Sequence, residues 1–107
     1  MLFDITASDA SLEQFFFWNA QDHIEINQAI QAQKTVNLFE RVLHPVDPQA
    51  FDIWLELHQQ SHNDINQVLG LNGNDLSELD FSDKSKVSEW MNLHAQEHLS
   101  MRQVLKI

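Results

Sequence analysis

At 107 residues, 43% of them hydrophobic, the chain has the length of one domain and enough apolar material for a modest core. Six Lys plus Arg stand against sixteen Asp plus Glu, a formal charge of -10, so the basic footprint that a nucleic acid or an anionic membrane surface requires is missing. Cysteine is absent, which removes disulfides and thiolate metal sites and fits a reducing compartment, and two Gly with two Pro are too few for a turn-rich β fold.

The chain starts with Met1-Leu2-Phe3-Asp4, without a basic stretch ahead of an apolar core, so no secretory signal is expected. No apolar run reaches the length of a membrane span. The dominant feature is internal repetition. Residues 8–30, 47–69 and 83–105 align without a gap, and three columns are identical in all copies: Gln21/Gln60/Gln96, His23/His62/His98 and Gln28/Gln67/Gln103. Phe15/Trp54/Trp90, Trp18/Leu57/Leu93, Ile26/Ile65/Met101 and Ile30/Leu69/Leu105 are conservative columns.

The first predicted helix covers 8–31, with Ser8 as its N-cap. The connection after it contains Thr35 to Leu43, a stretch of helical pattern that extends or follows that helix, and then His44 before Pro45, read as a solvated loop residue. The second helix is predicted over 47–70, opening on Asp47 as N-cap with Pro48 at the first helical position and closing on Gly70. Residues 70–82 read as a turn-rich loop, with Leu71, Leu76, Leu79 and Phe81 tucked against a bundle end. The third helix is predicted over 83–105, capped by Asp83. The expected fold is all-α, a three-helix bundle of one domain over 1–107, built from three copies of one helical repeat. An up-down-up order is preferred, although 13 residues also suffice to return the chain for parallel packing.

One stripe of each helix is apolar except at its middle. On the second helix it runs through Phe51, Leu55, His58, His62, Ile65 and Leu69; on the third through Val87, Met91, His94, His98, Met101 and Leu105. On the first it runs through Leu12, Phe16, Asn19, His23, Ile26 and Ile30. Five histidines and one asparagine thus stand where every other turn places a hydrophobe. Each His-x-x-x-His pair lies on one side of a helix, a spacing that lets two rings reach one ion. Antiparallel packing groups His23, His58 and His98 in one layer, whereas parallel packing groups His23, His62 and His98.

Three readings of the stripe stand side by side. In one, His23, His58, His62, His94 and His98 are metal ligands, with zinc the first candidate because the donors are nitrogen and no thiolate exists. In another they form a neutral hydrogen-bonded layer with Asn19 and the repeated glutamines that fixes register. In the third the stripe faces another subunit. Gln21, Gln60 and Gln96 are expected on the surface, with a supporting role beside the imidazoles as the alternative. Asp22, Glu25 and Glu97 are expected to project sideways, and the tryptophans to fill core. Phe17, on the outer face, together with Phe3 points to a contact outside the bundle.

No phosphate-binding glycine loop, G-x-S-x-G elbow, H-E-x-x-H motif or cysteine nucleophile is present, and no enzyme is expected. The His-x-x-x-His pairs resemble those of hemerythrin-like iron proteins, but that family uses four helices and bridging carboxylates, and the stripe has none. The strings Trp54-Leu-Glu-Leu-His58, Asn72-Gly-Asn-Asp-Leu-Ser-Glu-Leu-Asp80 and Leu93-His-Ala-Gln-Glu-His98 resemble small Trp/His-repeat helical proteins of tailed bacteriophages. The resemblance covers the last two repeats and their loop. It implies a phage product with no activity attached, and a compact acidic helical protein without catalytic motifs suits a non-enzymatic structural or interaction role, as a virion component or assembly partner, in the virion or the host cytoplasm. Its partners would then be proteins, a homo-oligomer among the options, with no nucleic acid and no membrane. The alternative is a metal-binding protein, zinc- or iron-holding, with a sensing, carrying or redox role.

Overall fold

The computed structural model describes residues 9–36, 38 and 51–107, which form three helices and, among the described residues, no strand. They are α1 (Asp9–Lys34), α2 (Phe51–Leu69) and α3 (Lys84–Leu105). The ends follow from local chemistry. At the start of α3 the Asp83 carboxylate accepts from the backbone amides of Ser85 and Lys86, two of the donors that a first helical turn leaves free. At the end of α2, Gly70 turns left-handed at φ +71°, and the amides of Gly70 and Leu71 return to the carbonyls of Gln67 and Asn66. Ser8, Asp47, Pro48 and His44 lie outside the described residues. The stretch from Thr35 does not extend α1, since Lys34 is the last helical residue and Thr35 breaks the helix with φ +55°; the other option, a helix that follows α1, falls on residues 39–43, outside the described residues.

The apolar residues gather in two clusters, one at each end of the helices. Phe15 and Phe16 of α1, Trp54 and Leu55 of α2, and Val87, Trp90 and Met91 of α3 form one cluster, all from the N-terminal halves. Ile26, Ile30, Ile65, Met101 and Leu105, all from the C-terminal halves, form the other. The three helices therefore run in the same direction, and the preferred up-down-up order is corrected to parallel. Each repeat reads aromatic, then histidine, then aliphatic along its length. Parallel packing without stagger stacks like on like, whereas reversing α2 would set its aromatic end against the aliphatic ends of its neighbours.

Parallel neighbours need a long return, and residues 70–83 supply it. Extended, they reach about 45 Å, against about 29 Å for the 19 residues of α2. Leu71 packs on the C-terminal cluster, while Leu76, fully buried, belongs to the N-terminal one. The loop thus runs along the helices instead of capping one end. Trp90 Nε1 donates to the Leu76 carbonyl at 3.0 Å, and the Leu76 amide donates to the Gln59 side chain. Phe81 meets Phe51 at 5.0 Å between ring centres.

Gly73 is where this loop presses closest. A Cβ there would stand 2.5 Å from Asn66 Nδ2, which is itself held by Glu97 Oε1 at 3.0 Å and has little room to yield. Gly73→Ala is expected to destabilise the protein by about 1–3 kcal/mol, as overpacking does. A urea-unfolding midpoint equal to that of the parent would show that the loop does not press on Asn66.

Candidate metal centre

The stripe residues meet between the two apolar clusters. His23, His58, His62, His94 and His98 are each at most 2% exposed. One ring nitrogen from each lies within 4.8 Å of all the others, close enough for the five to hold a metal ion. His62 Nε2 stands 3.2 Å from His23 Nε2 and 3.1 Å from His58 Nε2, and His58 Nε2 stands 3.3 Å from His94 Nε2. With metal–nitrogen bonds of about 2.0–2.1 Å, neighbouring donors around one ion lie about 2.9–3.4 Å apart. The observed spacings fall in that interval.

Two layers are distinguishable. His23, His62 and His98 form one, with ring centres 4.7 to 5.0 Å apart, as parallel packing requires. His58 and His94 belong to the other, at the register that Asn19 occupies on α1. Each of these two rings lies flat on the tryptophan one turn before it: His58 on Trp54 at 4.4 Å and 17°, His94 on Trp90 at 4.9 Å and 10°. The tryptophans are core, as expected, and they also fix the tilt of two imidazoles.

Two carboxylates complete the arrangement, and here the sequence reading needs correction. Asp22 and Glu97 do not project sideways into solvent; both are buried. Asp22 Oδ2 accepts from His98 Nδ1 at 2.6 Å, and Glu97 Oε1 accepts from His62 Nδ1 at 3.0 Å. A neutral ring whose Nδ1 carries the proton has its lone pair on Nε2, the form that ligates a metal. Arg102 secures Asp22 from the far side at 2.7 Å and also reaches Glu25, which is exposed. Glu97 Oε2 in turn accepts from the backbone and side-chain amides of Asn74. With Ser61, these carboxylates form one repeat column, the residue just before the invariant histidine, and Ser61 is buried too. That column borders the stripe on the side facing the next helix, a signal present in the sequence once the packing direction is known. The identical glutamines Gln21, Gln60 and Gln96 are exposed and give the imidazoles no support.

Burial is the largest influence on the rings. It holds His58, His94 and His98 well below the ordinary 6.5, and the surrounding imidazoles push each further down. Glu97 responds differently. Burial would raise its carboxyl, but the hydrogen bonds from His62, the Asn74 amide and Asn66 bring it down to about 2. At neutral pH the centre therefore presents the neutral imidazoles of His58, His94 and His98 beside the ionised Glu97.

No family model, curated protein or solved structure matches the chain. Among the described residues no helix is long and apolar enough to cross a membrane. Phe17 is 67% exposed, on the outer face where the repeat places it, while Phe3 lies outside the described residues.

Proposed function

We propose that the protein holds a first-row divalent transition-metal ion through His23, His58, His62, His94 and His98, and that this ion locks the three parallel helices together. The observation that carries the reading is the convergence of five buried ring nitrogens within 4.8 Å. Two of these rings are turned by carboxylates so that Nε2 keeps its lone pair. Zinc, iron, nickel and copper all accept imidazole. Since the donors are closed off from solvent, the ion's role is structural and not catalytic.

The competing reading, a metal-free hydrogen-bonded layer, pairs these nitrogens poorly. His62 gives its only proton to Glu97, so its Nε2 can only accept, and His58 Nε2 must then be the donor toward it. A protonated His58 Nε2 has no lone pair left, so it cannot accept from His94 Nε2. His58 Nδ1, His94 Nδ1 and His98 Nε2 are buried without a hydrogen-bond partner. Each such group costs about 1–3 kcal/mol. An ion turns the crowded Nε2 lone pairs from mutual repulsion into bonds, although it does nothing for the Nδ1 edges of His58 and His94.

The test is elemental analysis of protein purified without a histidine tag, followed by melting with added metal or a chelator. We expect bound metal, a chelator-induced fall in melting temperature, and loss of both in His98→Leu. A protein that takes up no metal and melts indifferently to chelator, with His98→Leu neutral or stabilising, is the result of a merely polar layer and would overturn the proposal.

A further inference from the structure

The number and type of donors bear on which ion the centre suits. A tetrahedral ion with bonds of about 2.0–2.1 Å keeps all its donors within about 3.4 Å of one another, whereas opposite corners of a six-cornered site are about 4.0–4.2 Å apart. The five imidazole nitrogens spread over as much as 4.8 Å, wider than either figure, so a bound ion would draw them inward whatever its geometry. Their number is what decides: five donors overfill a tetrahedron.

The repeat supplies two layers of three positions, and two stacked triangles make six corners. Five corners are histidines; the sixth is Asn19, in the column of His58 and His94. Asn19 is 2% exposed, and its Oδ1 is buried without a hydrogen-bond partner. The face of α1 that carries it is turned toward the centre. Phe15, one turn before, meets the His94 ring at 5.4 Å, and His23, one turn after, meets the His58 ring at 5.0 Å. A buried amide oxygen with no donor to satisfy it is a natural oxygen ligand for a cation.

Resting on the metal proposal, we infer that the centre is six-cornered, with the Asn19 carbonyl oxygen at the corner that the imidazoles leave, and that it selects ions favouring six ligands (iron, cobalt or nickel) over zinc. Zinc has a filled d shell and no geometric preference, and in closed protein sites it takes four ligands. Iron(II), cobalt(II) and nickel(II) have partly filled d shells and gain from six nitrogen and oxygen donors.

The experiment loads the untagged full-length protein with cobalt(II) and reads its visible spectrum, then lets nickel(II) and zinc(II) compete for the site. Six-coordinate cobalt gives weak absorption bands, and tetrahedral cobalt gives intense blue ones. We expect weak bands, nickel displacing zinc, stronger five-coordinate bands in Asn19→Leu with affinity reduced about tenfold or more, and weak bands restored in Asn19→His. Intense tetrahedral bands, or zinc displacing nickel, would overturn the six-cornered site while leaving metal binding standing. An unchanged spectrum and affinity in Asn19→Leu would remove Asn19 from the site. Failure to take up any of the three ions would sink this inference and the metal proposal together.

Discussion

Asp22→Ala is expected to destabilise the metal-free protein by about 2–3 kcal/mol and to weaken metal binding about 10–100-fold. Asp22 accepts from His98 Nδ1 at 2.6 Å and from Arg102 at 2.7 Å, so its removal strips a buried imidazole and a guanidinium of one shared partner. The two losses are unequal. Arg102 is 29% exposed and keeps Glu25 at 2.9 Å, so water and that carboxylate absorb most of its share. His98 has no such recourse. Without Asp22 its Nδ1 proton is unpaired in the core, and the ring is free to place that proton on Nε2, where it blocks ligation. Urea unfolding in the presence of chelator reads the first effect, and titration with nickel(II) reads the second. Asp22→Asn keeps an acceptor and should fall between the parent and Asp22→Ala. If Asp22→Ala matches the parent in both measurements, the ring's orientation does not depend on the carboxylate.

What the sequence made legible was the stripe. The spacing through residues 51, 55, 58, 62, 65 and 69 identified a buried face, and Phe16, Ile26, Leu55, Ile65, Met91 and Met101 are all buried on it, with the five histidines between them. Periodicity determines which side of a helix is apolar, so these placements needed no tertiary information. Helix direction is another matter. A parallel bundle and an antiparallel one bury the same stripe, and the loop at 70–83 is long enough for either. The deciding fact is a matching of ends, aromatic on aromatic and aliphatic on aliphatic, visible in Phe15 against Trp54 and Trp90.

The misplacement of Asp22 and Glu97 follows from the same gap. A residue one position before a stripe histidine sits at the border between buried and exposed, and only the neighbouring helix determines which it becomes. Here that neighbour brings His98 to Asp22 and His62 to Glu97, so two charges that composition alone would assign to solvent become buried partners of the rings. The exposed glutamines err in the other direction. Gln21, Gln60 and Gln96 are identical across the copies yet touch nothing in the centre, so identity between repeats did not mark function at that column.

Acid should dismantle the metal-free fold steeply, starting near pH 6.5. His58, His94 and His98 are held well below 6.5 in the folded protein by burial first and neighbouring rings second, whereas in the unfolded chain they titrate near that value. The unfolded state therefore binds more protons once the pH drops below 6.5. Stability is complete above that point and is lost as the pH falls toward the folded values. Each ring contributes a slope of about 1.4 kcal/mol per pH unit, so the three together remove about 4 kcal/mol per unit. Against a typical total of about 5–15 kcal/mol, this unfolds a small domain within one to a few units. Glu97 acts in the same direction but later: its folded value of about 2 lies below the ordinary 4.5, so its contribution is present above 4.5 and is lost as the pH approaches 2. Bound metal should delay the collapse, because protons must displace the ion before they reach the rings. Melting curves from pH 8 to pH 4, with metal and with chelator, check this. A melting temperature that stays level between pH 7 and pH 5 in chelator would mean that His58, His94 and His98 titrate as freely folded as unfolded, against what their burial at no more than 2% exposure requires.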